Sequence, residues 1–67
     1  MERTQFVGKW RQLRGPVKQE WSALTEHDLD MIAGDYDLLV AKIHELSGST
    51  REEINRRLDE LARKHAA

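Results

Sequence analysis

Phe6, Trp10, Leu13, Val17, Trp21 and Leu24 follow one another at steps of three or four residues, the interval that lays side chains along one face of an α-helix. Nothing else in the chain constrains its fold as strongly, because a stripe of three aromatic and three aliphatic side chains has to be covered. Gly15-Pro16 interrupts this stripe. Proline lacks a backbone donor, crowds the turn before it and drives the preceding residue out of helical geometry. The spacing therefore predicts a first helix near residues 3 to 14 and a second near 16 to 24, with Pro16 in the first turn of the second. A single kinked helix is the alternative. Trp10 and Leu13 are echoed eleven residues later by Trp21 and Leu24. Two matches do not make a repeat architecture, so the echo reads as one face continuing across the joint.

Thr25 and Asp28 stand at capping-box spacing before a short helix near 26 to 33, whose apolar face is Leu29 and Ile32. Gly34 fits the position after a helix end, where a positive φ is cheap. Asp35 can cap the next helix, with Tyr36, Leu39, Val40, Ile43 and Leu46 as a core-facing band closed by Gly48. Ser49 or Thr50 opens a last helix, about 50 to 65, with Ile54, Leu58, Leu61 and His65 along a narrow stripe. Periodicity alone leaves open whether that stripe docks on its own bundle or on another chain. No segment alternates like a strand and no low-complexity linker divides the chain. The expected fold is all-α: one domain over residues 1 to 67, a compact monomeric mini-bundle of four to five short helices. Its predicted core is Phe6, Trp10, Leu13, Val17, Trp21, Leu24, Leu29, Ile32, Leu39, Val40 and Ile43, with both tryptophans largely buried.

With 67 residues and no cysteine, neither disulfides nor thiolate-bound zinc can staple the fold, and stability must come from packing, caps and charge. Charged residues make up 34% of the chain, close to the composition of disordered proteins, but the regular aliphatic and aromatic spacing argues for a folded domain. The net charge of -1 is unevenly laid out: +3 over residues 1 to 24, -5 over 25 to 48 and +1 over 49 to 67. The longest unbroken apolar run, Leu38 to Ala41, is far shorter than the roughly 20 residues of a membrane span. The N-terminus also lacks a secretory apolar stretch. A cytoplasmic protein with no membrane contact is expected.

Gly8-Lys9-Trp10, Gly15, Val17-Lys18, Trp21, Leu24-Thr25, Asp28, Ile32, Gly34, Leu39, Lys42-Ile43, Glu45 and Gly48 form an ordered set that resembles the CsbD-like family of small bacterial proteins. The resemblance covers about residues 5 to 48. It implies a small helical bundle made under general stress or on entry to stationary phase, with no enzymatic activity assigned. It also implies no catalytic or ligand residues to carry over. Pro16 stands where relatives usually carry a lysine or similar residue, Ala41 replaces a common glycine, and the tail from Ser49 onward matches loosely.

His27, His44 and His65 have no second histidine or cysteine at a metal-ligand spacing. Asp28, Asp30, Asp35 and Asp37 lack the loop pattern of a calcium site and read as acids at helix starts. Ser22, Ser47 and Ser49 read as helix or cap residues, and Glu20, Glu26 and Glu45 have no apolar pocket to separate their pKa values. Gly48-Ser49-Thr50 has neither the glycines nor the lysine of a phosphate loop. No catalytic residue, metal or cofactor is expected. Trp10 and Trp21 could stack on nucleic-acid bases, but their shared face with Phe6 and Leu13 points to the core. Arg11, Arg14 and Lys18 cluster beside the apolar stripe as the one basic patch to examine, either as a solvated rim or as phosphate or partner contacts.

The expected function is that of a non-enzymatic general stress-response protein acting through protein surfaces or abundance, its molecular partner unknown. The alternative is a weak, non-specific nucleic-acid-associated protein using Arg11, Arg14 and Lys18, helped by Arg51, Arg56 and Arg57. A third reading is a disordered protectant that folds only on contact or drying.

Overall fold

Phe6, Trp10, Leu13 and Val17 lie on one helix that continues past the proline, and Trp21 and Leu24 follow its end. The computed structural model describes residues 3 to 65, and its first element, α1 (Arg3–Glu20), runs straight through Gly15 and Pro16. This corrects the predicted break, and the reason is energetic. A proline inside a helix costs about 3 kcal/mol, whereas burying Leu13 and Val17 contributes about 1.5 to 3 kcal/mol each. Those two residues flank the proline and are essentially fully buried. They share one face only if the helix continues, so packing overrides local propensity.

The chain leaves the helix at Trp21, whose N–H still bonds to the carbonyl of Val17 (2.9 Å). A tight turn closed by the Leu24 N–H on the Trp21 carbonyl (3.0 Å) returns Leu24 to the core. Trp21 itself is a second correction: it packs against the core but is only partly buried. Helical periodicity stops dictating direction where the helix stops.

Thr25 then caps α2 (Glu26–Ile32) through a complete capping box, Asp28 N–H to the Thr25 hydroxyl and Thr25 N–H to the Asp28 carboxylate. Leu29 and Ile32 are its buried face. The helix ends one residue earlier than predicted, with Ala33 in the left-handed region (φ 49°) and Gly34 following at φ 88°. Gly34 is buried with its backbone against α1: a Cβ there would sit 3.3 Å from the Trp10 Cβ and 3.4 Å from the Val7 Cα. Two requirements therefore coincide at this position, positive φ and close approach.

Asp35 caps α3 (Tyr36–Ser47) by accepting from the N–H groups of Asp37 and Leu38. Leu39, Val40 and Ile43 are buried as predicted, and Gly48 closes the helix at φ 73°. Tyr36 is half-buried, its ring edge-on to Phe6 at 5.1 Å and its hydroxyl donating to Asn55 Oδ1 at 2.7 Å. Leu46 departs from the predicted band. It shares the angular position of Leu39, but in the last turn of the helix it stays 42% exposed.

The last helix, α4 (Arg51–His65), opens at Thr50, whose hydroxyl accepts from the Glu53 N–H (3.1 Å). Its sequence sets Glu52, Glu53, Asp59 and Glu60 each four residues before an arginine or lysine, the orientation that supports a helix in isolation. It docks on its own chain, chiefly against α1 and α3. Ile54 and Leu58 are fully buried, Ala62 is buried beside them, Leu61 is partly buried and His65 is exposed. The buried face is thus the four-residue ladder Ile54, Leu58 and Ala62. Among the described residues the result is an all-α domain of four helices with a radius of gyration of 10.6 Å, against about 11 Å for a compact chain of this length.

Phe6 lies at the centre of this core, fully buried between Trp10 and Tyr36. In chemical denaturation Phe6→Ala is expected to cost about 3 to 5 kcal/mol, most of the stability of so small a domain. Trp21→Ala is expected to cost less than half of that, and equal losses would place the Trp21 ring in the core. At the α2–α3 joint, Gly34→Val is expected to destabilise by more than about 1 to 2 kcal/mol. Ala33→Gly, which relieves a left-handed alanine, should leave the midpoint unchanged or raise it. A Gly34→Val protein that melts with the parent would show that the joint does not need its glycine.

Candidate functional site

Arg11, Arg14 and Lys18 lie on one side of α1 because steps of three and four residues return to the same helical face. The structure brings a second helix to that face. The sequence of α2 sets Glu26 and Asp30 one turn apart, and Arg14 Nη2 donates to both carboxylates at 3.0 Å. Lys18 Nζ donates to the other oxygen of Glu26, also at 3.0 Å. Two of the three predicted basic residues are therefore neutralised within the molecule. Arg11 is exposed and forms no ion pair among the described residues.

The electrostatics of this cluster follow from its contacts. The Lys18 ammonium, and behind it the Arg14 guanidinium, hold the Glu26 carboxyl below its ordinary range. Asp30 and then Glu26 favour the charged form of Arg14. Asp28, on another side of α2, is held low first by the Thr25 backbone N–H and then by the Thr25 hydroxyl and the charge of Lys42, whose Nζ lies 3.8 Å away. One short helix thus ties its three carboxylates to α1 on one side and α3 on the other.

The further basic residues divide in the same way. Arg57 pairs with Glu20, which ties α4 to the end of α1. Arg56 and Arg57 line an open polar depression on α4 with Glu53 and Glu60. Arg51 is exposed in the first turn of α4. Trp10 is part of the core, so it offers no face for stacking, and Trp21 keeps only part of its ring in solvent. Among the described residues no three histidine or carboxylate side chains converge as metal ligands. His44 is engaged locally, its Nδ1 lying 2.7 Å from the Ser49 carbonyl at the α3–α4 turn. Among the described residues no helix is long and apolar enough to cross a membrane.

Sequence reasoning found the cations and missed their partners. The signal was present as two matched pairs of opposite sign, Arg14 with Lys18 and Glu26 with Asp30, each four residues apart and hence each on one helical face. Only the fold shows that the two faces meet.

Because Glu26 and Asp28 titrate lower in the folded chain than in the unfolded one, their contribution to stability is complete above the ordinary carboxylate values of about 4. It is lost as the pH falls through their lowered values. The melting temperature is expected to drop between about pH 5 and pH 2, and Glu26→Gln with Asp28→Asn should flatten that drop. An unchanged acid profile in the double variant would show that these contacts carry no pH dependence.

No family model matches the chain, and no solved structure matches it. Among curated proteins it is similar to UPF0337 protein YjbJ of Escherichia coli O6:H1, with 34% identity over 65 residues, 97% of this chain and 94% of that protein. UPF0337 protein pc0632 of Protochlamydia amoebophila is 31% identical over 65 residues, 97% of this chain and 98% of that protein. UPF0337 protein ECA0631 of Pectobacterium atrosepticum is 40% identical over 52 residues, 78% of this chain and 75% of that protein. With such relatives matching over most of its length, the chain belongs to the UPF0337 proteins, the CsbD-like family.

Proposed function

We propose that this chain is a non-enzymatic general stress-response protein of the cytoplasm, monomeric, which acts through its charged exterior by contact with protein surfaces or by sheer abundance. The observation that carries this reading is the division of labour between its residues. Every fully buried side chain among the described residues is apolar, while carboxylates and cations of different helices are engaged with one another at the surface. Such a molecule holds itself together with its buried apolar groups and presents a mosaic of both charges to its surroundings, in which Val7, Met31, Leu38 and Leu46 are the exposed large apolar side chains among the described residues. That mosaic favours solubility at high concentration.

Membership of the CsbD-like family supports the stress-response part of the reading. The reading of a weak, non-specific nucleic-acid binder is less favoured, since Arg14 and Lys18 already satisfy themselves on Glu26 and Asp30. Any phosphate would have to displace two carboxylates that are tethered beside them.

The protein level in its native host, followed by quantitative immunoblotting through growth and after osmotic shock, is expected to rise several-fold on entry to stationary phase or under shock. A level that stays constant through both would overturn the stress-response reading. Nanomolar binding of the purified parent to duplex DNA at 150 mM salt would instead make it a nucleic-acid protein, because non-specific binders typically sit at about 10⁻⁴ to 10⁻⁶ M.

A further inference from the structure

We infer that α2 serves as a built-in counter-anion for the cationic face of α1, and that the face it covers fits the phosphodiester backbone of a nucleic acid once Glu26 and Asp30 are neutralised. The inference rests on the reading above in one respect, that the parent chain is not itself a tight nucleic-acid binder.

The geometry is that of an anion site already filled. Arg14 Nη2 receives oxygens from two separate carboxylates at 3.0 Å, and Lys18 receives a third at 3.0 Å. Hydrogen bonds from charged donors to carboxylate and to phosphate oxygens share the same geometry, so what holds Glu26 and Asp30 would also hold phosphate. Arg11 extends the row by one turn, exposed and without an ion pair among the described residues. From Arg11 to Lys18 the helix rises about 10 Å, so the three long side chains stand in one row. With α2 in place the cluster of Arg11, Arg14, Lys18, Glu26 and Asp30 has a local charge of +1, and without the two carboxylates it is +3.

The cover can be neutralised without removing the helix that carries it. Glu26 and Asp30 are exposed, whereas α2 is held in the fold by the buried Leu29 and Ile32, by the capping box of Thr25 and Asp28, and by Lys42 on α3. None of these anchors involves the two masking carboxylates. The contact is therefore an electrostatic cover over a preformed surface, one that a modification or a competing cation on α2 could lift.

The test compares four full-length proteins for binding to a fluorescent 20-base-pair duplex over a range of salt concentrations. They are the parent, Glu26→Gln with Asp30→Asn, the same double variant with Arg11, Arg14 and Lys18 all changed to alanine, and a control, Asp37→Asn with Glu45→Gln, which removes two exposed acids on α3. Circular dichroism and melting establish that each is folded. If Glu26→Gln with Asp30→Asn unfolds, Glu26→Ser with Asp30→Ser is used in its place. The unmasked variant is expected to bind at least about tenfold more tightly than the parent. Its logarithmic salt slope should steepen towards about -3, as three phosphate contacts at roughly 0.9 each require. The triple alanine change should abolish the gain and the control should show none. A folded unmasked variant that binds no better than the parent overturns the inference and leaves the proposed function standing. An equal gain in the control also overturns it, since net charge alone would then explain the effect. Tight binding by the parent itself overturns both.

Discussion

Everything in this small fold depends on the burial of one continuous face of α1. Phe6, Trp10, Leu13 and Val17 are buried along that face, and α3 and α4 both pack against the helix that carries them. Phe6 is the point where the packing converges, with Trp10 on one side at 5.5 Å and the edge of Tyr36 on the other. Through the Tyr36 hydroxyl the same cluster reaches Asn55 of α4, so a single aromatic centre touches or orients three of the four helices. A chain of this size has no second core on which to fall back. That is why the helix tolerates a proline: breaking at Pro16 would free local strain but would divide the face on which the other helices assemble.

The same constraint explains which parts of the fold were legible in the sequence. The predicted core residues Phe6, Trp10, Leu13, Val17, Leu24, Leu29, Ile32, Leu39, Val40 and Ile43 are all buried, because periodicity reports which residues share a face. Caps were legible for a related reason, since Thr25 with Asp28 and Asp35 act on backbone groups two or three residues away. What periodicity does not report is how far cover extends. Trp21 and Leu46 both fall at helix ends, and both are less covered than their spacing suggested. The choice at Pro16 between a break and one continuing helix was equally out of reach, for it is decided by the sum of contacts that Leu13 and Val17 make with other helices. In α4 the buried face ends at Ala62, not at His65, which is exposed.

Charge shows the complementary limit. The sequence displays a basic first third and an acidic middle third, which suggests opposed patches. In the fold these thirds are brought into contact, and the acids of α2 lie on the cations of α1 while Asp28 faces Lys42 within the middle third itself. Part of the unevenness along the chain is therefore internal pairing. Surface ion pairs of this kind add little to stability individually. Their effect is on orientation: α2 is only seven residues long, too short to be stable as an isolated helix, and its caps and carboxylates set how it lies between its neighbours.

This arrangement bears directly on what the molecule can do. A surface whose cations are already matched has little free energy to gain from a weakly charged partner, since each new contact must first break one that exists. A partner that supplies many closely spaced anions at once gains from released counterions as well as from contact, and it is favoured over the internal carboxylates only when those are weakened. The short length of α2 makes that condition local, because Glu26 and Asp30 are exposed on a helix whose anchors, Leu29 and Ile32, are buried in the core. Apolar anchoring and surface charge are thus set by different residues of the same seven-residue element. The packed bundle can keep its structure while the charge it presents along α1 is changed by as few as two side chains.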